Sequence, residues 1–431
     1  MPNTGISGLD FLSQIGTVEQ IRELARQELS YDKFPVNTHI HLPPNFSAFQ
    51  SVEQAINLAS QQGVKVIGAG NYYDFTIYRK FSALAQQKKI FPLYSTEIIA
   101  IEEDLQQRDI KVNDPDNPGK YYICGKGITK FEYLAERAKE LLNIIRRNDT
   151  ERMHLMAEKI TGHFKNNGVD TGLDAETIIS RVVTRYNCDR QTVVLQERHL
   201  AQAFQEAFFL RVNFKDRKKK LDNIFGSESK SKPDDSVSIQ NEIRSNLLKA
   251  GKICFVPETF INLAQAKELI LQLGGIPCYP VLADGAKQRC EYEYPLDNLI
   301  NNLKNNNYYM AEFIPVRNHP VVLAEYVHTI RREGIAVVAG TEHNSLDLIP
   351  IEPLCINGQP IPDDLKKIFR EGACVLAAHQ FLQAHNKCGF VDSSGVANPD
   401  YKNSEDRIGA FKKIGYTVLS KYFNLVEGRN E

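Results

Sequence analysis

The 431-residue sequence has no CxxC pair among its eight cysteines, no apolar stretch long enough to cross a bilayer and no excess of charge of either sign. Each absence removes a class. Scattered cysteines argue against a disulfide framework or a CxxC zinc or redox site, and they point to reduced thiols. Runs shorter than roughly 20 apolar residues exclude a spanning helix. Lysine plus arginine (52) balances aspartate plus glutamate (53), a formal charge of -1, so no global field recruits nucleic acid or an anionic membrane. The opening "MPNTGISGLDFLSQIG" lacks the basic-then-apolar pattern of a secretory signal, so a cytoplasmic protein is expected. A small-molecule substrate, anionic through local charge, stays open, as does an oligomer. With 42% hydrophobic residues the chain can bury a large core, as one barrel with insertions or as two domains.

What is present begins with "VNTHIHLPPNFS", residues 36–47. Alternate side chains of a strand share a face, so His39 and His41 project together from its end, in position to share a metal ion. Apolar runs of four to eight residues then alternate with helical periodicity, which argues parallel βα units. The expected organisation is an N-terminal helical segment (1–35), the first half of a barrel (36–130), a helical insertion (131–214), a flexible polar loop (215–242), the second half of the barrel (243–361) and a helical C-terminal tail (362–431). The loop is inferred from its Ser, Lys and Asp content.

Polar, ligand-type residues recur where the apolar strands end. After His39 and His41 come Asn71, Tyr72 and Asp74 in "IGAGNYYD", Glu97 in "STEI", Tyr279 and Asp284 in "PCYPVLAD", Glu312 in "AEFIPVRN", and Glu342 with His343 in "AGTEHNS". In a parallel barrel the carboxyl ends of the strands form one rim, so these distant residues should converge.

In this order the motifs resemble the polymerase and histidinol phosphatase (PHP) family of metal-dependent phosphoesterases. The sequence offers "NTHIH", "AGNYYD", "STEI", "ERHLAQAF", "FVPETFINLAQAKELILQLGGIPCYP", "AEFIPVRN" and "AGTEHNS" in the family's order, over about residues 34–350. The resemblance implies a distorted, TIM-like βα barrel of the α/β class with divalent metals (Mn, Zn or Fe) at its rim. Carried over position by position, His39, His41, Glu97 and His199 match metal ligands, and Glu342 replaces a terminal aspartate. Glu312 matches a position that supports the ligands without binding metal. Four positions depart: Phe46, Tyr72, Tyr279 and Asn344 stand where the family has ligands, so one or two ions are expected instead of three.

The resulting expectation is a hydrolase of a phosphoester or another small polar anion, using metal-activated water. Glu342, His343 or Asp74 would move protons, Arg198 and Arg317 would clamp the anion, and Tyr72 and Tyr279 would donate hydrogen bonds to substrate. Two alternatives follow from the lost ligands: a metal-assisted isomerase or lactonase acting on a sugar acid, and a catalytically degenerate scaffold that binds a partner protein.

Overall fold

Seven short runs rich in β-branched and aromatic residues build one sheet: β1 (Val36–Ile40), β2 (Val66–Ala69), β3 (Phe91–Ile101), β4 (Lys120–Lys126), β5 (Ile276–Val281), β6 (Met310–Phe313) and β7 (Ala336–Ala339). These are seen in a computed structural model that describes residues 8–27, 33–258 and 260–428. The strands lie in sequence order. β1 to β3 and β5 to β7 pair in parallel, while β4 runs antiparallel to both its neighbours. The ring closes at the strand ends, where His41 N–H donates to the Glu342 carbonyl (2.7 Å) and the Thr341 and Glu342 N–H groups donate to the His39 carbonyl (3.0 and 2.9 Å). The architecture is therefore a nearly closed, distorted TIM-like barrel with helical additions, and its rim gathers the strand ends as a parallel barrel must.

The strand β4 is absent from the sequence reading. It follows the turn-rich "NDPDNPG" and carries Lys126 at its end, features that suggest a loop or an exposed edge. Lys126 is instead fully buried in the barrel.

The chain leaves the barrel after β4. Helix Glu136–Asn166, about 45 Å long at 1.5 Å per residue, buries Leu141, Leu142 and Ile145 against the barrel core. Its second half buries Met153, Met156, Ile160 and Phe164 in a separate core of the insertion. One helix thus ties the two cores together. Helices Ala175–Tyr186 and Glu197–Arg211 add to the insertion core, the second beginning against the barrel rim, where His199 meets the Pro44 carbonyl.

Residues 215–242, expected to be a flexible loop, are largely helical. Helices Phe214–Phe225 and Ser236–Ile243 bury Leu221, Ile224, Ile239 and Ile243 in the insertion core. Between them Glu242 Oε2 accepts from Ser229 Oγ (2.6 Å) and Asp222 Oδ1 accepts from Ser229 N–H (2.7 Å). These few apolar positions, diluted by lysine and serine, were too sparse to show a period. Apolar side chains as far as Val256 belong to the same core, and the chain is back in the barrel core at Ile261, just before helix Leu263–Gln272.

At the other end, helices Asp363–Ala384 and Ser404–Glu427 pack on each other and add to the barrel core. Gln380 ties the first of them to β3, accepting from Tyr94 N–H and donating to the Pro92 carbonyl, both at 3.1 Å. The expected N-terminal segment lies partly outside the described residues; within them are helices Asp10–Gln14 and Val18–Leu24. All eight cysteines are free. No described helix is long and apolar enough to cross a membrane.

Candidate metal centre

Strand β1 delivers His39 and His41 to the rim, and β3, two strands away, delivers Glu97. His39 Nε2, His41 Nε2 and Glu97 Oε2 converge, the two nitrogens lying 3.6 and 3.2 Å from the carboxylate oxygen. All three side chains are buried, and none of these three atoms has a hydrogen bond. Orphaned buried donors of this kind are costly unless something pairs with them. Two imidazole lone pairs and one carboxylate oxygen, all within 4.8 Å of one another, fit a single divalent cation.

The supports of these groups are as specific as the groups themselves. His39 Nδ1 donates to Glu312 Oε2 at 2.8 Å, which fixes the proton on Nδ1 and leaves the Nε2 lone pair facing Glu97 and His41. Glu312 is fully buried on β6, and Lys126 Nζ holds its other oxygen at 2.5 Å. Burial raises the Glu312 carboxyl, but Lys126 and His39 overcome this and bring it down to about 2. Glu97 behaves alike: burial pushes it up, while His41 and His39 hold it below the usual carboxylate range. Tyr72 donates its hydroxyl to Glu97 Oε1 (2.5 Å) and stacks on His41 with rings 5.2 Å apart and 3° from parallel. Room for His39 comes from Gly70 and Gly340, where a Cβ would sit 2.6 Å from its imidazole Cδ2 and 2.3 Å from its Cβ. A second cluster, His39 with Cys124 and Glu312, is a poorer cation site, because the Lys126 ammonium already neutralises Glu312.

Other expected site residues lie elsewhere. His199 accepts from Gln196 N–H through Nδ1 (3.1 Å) and donates from Nε2 to the Pro44 carbonyl (3.2 Å), so it caps its own helix and has no lone pair free for metal. Burial pushes it down to about 3. His343 contacts Thr341 Oγ1 at 2.7 Å and the Ile349 carbonyl at 3.0 Å, with its ring stacked on Phe49; it is spent as well. The backbone explains the turn away: Glu342 and His343 both adopt left-handed φ, +58° and +52°. Tyr279 does not face the site. Its strand neighbours Cys278 and Pro280 take the inner face, and Tyr279 points outward to Tyr292 and Tyr308, donating to Glu293 Oε1 at 2.9 Å. Asp74 opens on a different cavity, where Arg146 (3.3 Å) and Thr76 N–H (3.1 Å) engage it.

Glu342 lines the same cavity as His39 and Glu97 but stands outside their donor group. Its Oε2 is held by Arg317 and by Asn344 Nδ2 (2.5 Å). The cavity, about 370 Å³, lies between the rim and the insertion, and Arg198 and Arg317 line it too. Its insertion side carries charges that the sequence did not flag. Arg152 bridges Glu197 (2.9 Å) and Glu258 (3.3 Å), and Lys120 bridges Glu258 (2.7 Å) and Asp114 (3.2 Å). These side chains come from four segments, around 114–120, 152, 197 and 258, and share no local motif.

No family model matches the sequence, and no curated protein matches it. Two solved structures share its fold. One, from Bifidobacterium adolescentis, is described as a metal-dependent phosphoesterase; it is 12% identical with a TM-score of 0.51, over 77% of this chain and 94% of that one. The other is an amidohydrolase from Chromobacterium violaceum with bound sulfate and no metal, 16% identical with a TM-score of 0.50, over 78% and 96% of the two chains. At such identities the likeness is one of fold.

Proposed function

We propose that the chain is a metal-dependent hydrolase of the PHP type, acting on a phosphoester or another small polar anion. The observation that carries this reading is the convergence of three buried, unpartnered donor atoms, His39 Nε2, His41 Nε2 and Glu97 Oε2, of which His39 and Glu97 line a cavity. These residues would hold one divalent ion, manganese, zinc or iron. Bound there, the ion would supply Lewis acidity toward water and the scissile bond.

The protein's own groups do the rest. Glu312 orients His39, and Tyr72 fixes the Glu97 carboxylate. Arg317, ion-paired to Glu342 at the cavity wall, and Arg198, which pairs with no carboxylate among the described residues, are placed to hold the substrate's anionic group. Glu342 is the carboxylate in reach of that group, and once substrate engages Arg317 it would hold or return the proton of the leaving group. The descriptions of the two structural neighbours support a hydrolase of this kind. The test is a panel of phosphoesters, lactones and sugar acids assayed with metal-loaded protein. Phosphoester turnover that disappears in Glu97→Gln is expected; turnover of lactones or sugar acids alone would favour an isomerase or lactonase.

A further inference from the structure

The insertion side of the cavity carries three cations with a single carboxylate oxygen between them. Arg198 donates only to Asn344 Oδ1, at 3.5 Å, and makes no ion pair among the described residues. Arg244 and Lys249 have one carboxylate oxygen between them, Glu197 Oε2, at 3.7 and 3.8 Å, beyond hydrogen-bond length. The other oxygen of Glu197 is taken by Arg152 at 2.9 Å. Arg244 Nε is buried with no hydrogen bond at all. Around this group six cations (Lys120, Arg152, Arg198, Arg244, Lys249, Arg317) face four paired carboxylates, Asp114, Glu197, Glu258 and Glu342. Asp149 is buried near Arg152, with burial pushing its carboxyl up, and Asp116 sits exposed at the mouth. The repulsion is felt locally: burial and then Arg244 bring Arg198 down to about 9.

Guanidinium and ammonium groups crowded in a partly dry cavity with too few close carboxylate partners gain most from a bound anion. We propose that Arg198, Arg244 and Lys249 form an anion-binding subsite, built by the helical insertion, that takes an anionic end group of the substrate apart from the His39, His41 and Glu97 donors. This rests on the cavity being the substrate site. It gives the insertion a role in specificity: the preferred substrate carries a phosphate or carboxylate besides the bond that reacts. Arg244 and Lys249 follow helix Ser236–Ile243, in and just beyond a short π-helical turn (Arg244–Leu248), which places both beside Glu197.

The experiment is calorimetric titration of the full chain, stripped of metal, with inorganic phosphate and separately with acetate. Phosphate should bind the unmodified protein and His41→Ala alike, weaken at least 10-fold in Arg244→Gln and several-fold in Lys249→Gln, and weaken with added salt. Arg244→Lys, with thermal unfolding as the check on folding, should recover most of the affinity. Acetate as tight as phosphate identifies a carboxylate end group; phosphate clearly tighter identifies a phosphate. Absence of binding, unchanged binding in Arg244→Gln, failure of Arg244→Lys to recover it, or loss confined to His41→Ala would each overturn the subsite. Neither metal nor turnover enters this assay, so its failure leaves the metal-centre reading intact, and the reverse holds.

Discussion

Replacing Lys126 by methionine would leave the Glu312 carboxylate at the barrel centre without its cation. Both side chains are fully buried and 2.5 Å apart, and water has no access to either. Removing one partner of such a pair costs about 3–5 kcal/mol, because the remaining charge is stranded. The direction of the Glu312 shift agrees: burial alone would raise its carboxyl, and Lys126 with His39 brings it down to about 2. Denaturant unfolding at neutral pH should therefore show Lys126→Met destabilised by about 3–5 kcal/mol, with an unchanged slope. Adding Glu312→Gln should return much of the loss, since a neutral amide can still accept from His39 without stranding charge. The pH dependence has a definite sign. A carboxyl whose folded value is depressed stabilises fully above its unfolded value of about 4.5 and loses that contribution as pH falls toward 2. The unmodified protein should lose stability in this window, and Glu312→Gln should lose less. A cost below about 1 kcal/mol for Lys126→Met, or a double variant weaker than either single one, would refute the stranded-charge reasoning.

Tyr72→Phe keeps the stacking on His41 but removes the donor to Glu97, so metal affinity measured by competition with a chelating dye should fall about 10-fold with little change in unfolding midpoint. Gly70→Ala places a methyl 2.6 Å from the His39 imidazole; a loss of about 1–3 kcal/mol together with metal binding is expected, and retention of both would mean the close approach does not constrain His39. Tyr279→His, a change that the sequence alone would expect to add a ligand, should add no metal affinity, because this side chain faces Glu293 and the outer aromatic layer; extra bound metal would place Tyr279 at the rim after all.

The strand ends and their convergence were legible because alternation and β-branched runs report which faces are buried, and a parallel barrel fixes where strand ends meet. His39, His41 and Glu97 were singled out by that pattern together with the PHP resemblance, although Glu97 lies within β3 and not at its end. What escaped depends on contacts between distant segments. Lys126 reads as a surface lysine until Glu312, 186 positions away, is seen beside it. His199 sits in a helix whose local pattern resembles a ligand helix, yet its lone pair goes to the backbone of Gln196, a capping geometry that composition does not reveal. His343 was a matter of two consecutive left-handed residues, and the motif "GTEHN" does not say which way its turn goes. Apart from Arg198, the charges of the insertion wall were invisible for the same reason as Lys126.

The central claim is a single-ion site on His39, His41 and Glu97, and elemental analysis of protein purified without chelator or affinity nickel, then loaded with manganese, zinc or iron, tests it most directly. About one equivalent per chain is expected, two at most, falling to near zero in the His39→Ala, His41→Ala double variant while its unfolding midpoint stays close to that of the unmodified protein. Three equivalents in the unmodified protein, or full retention of metal in the double variant, would contradict it.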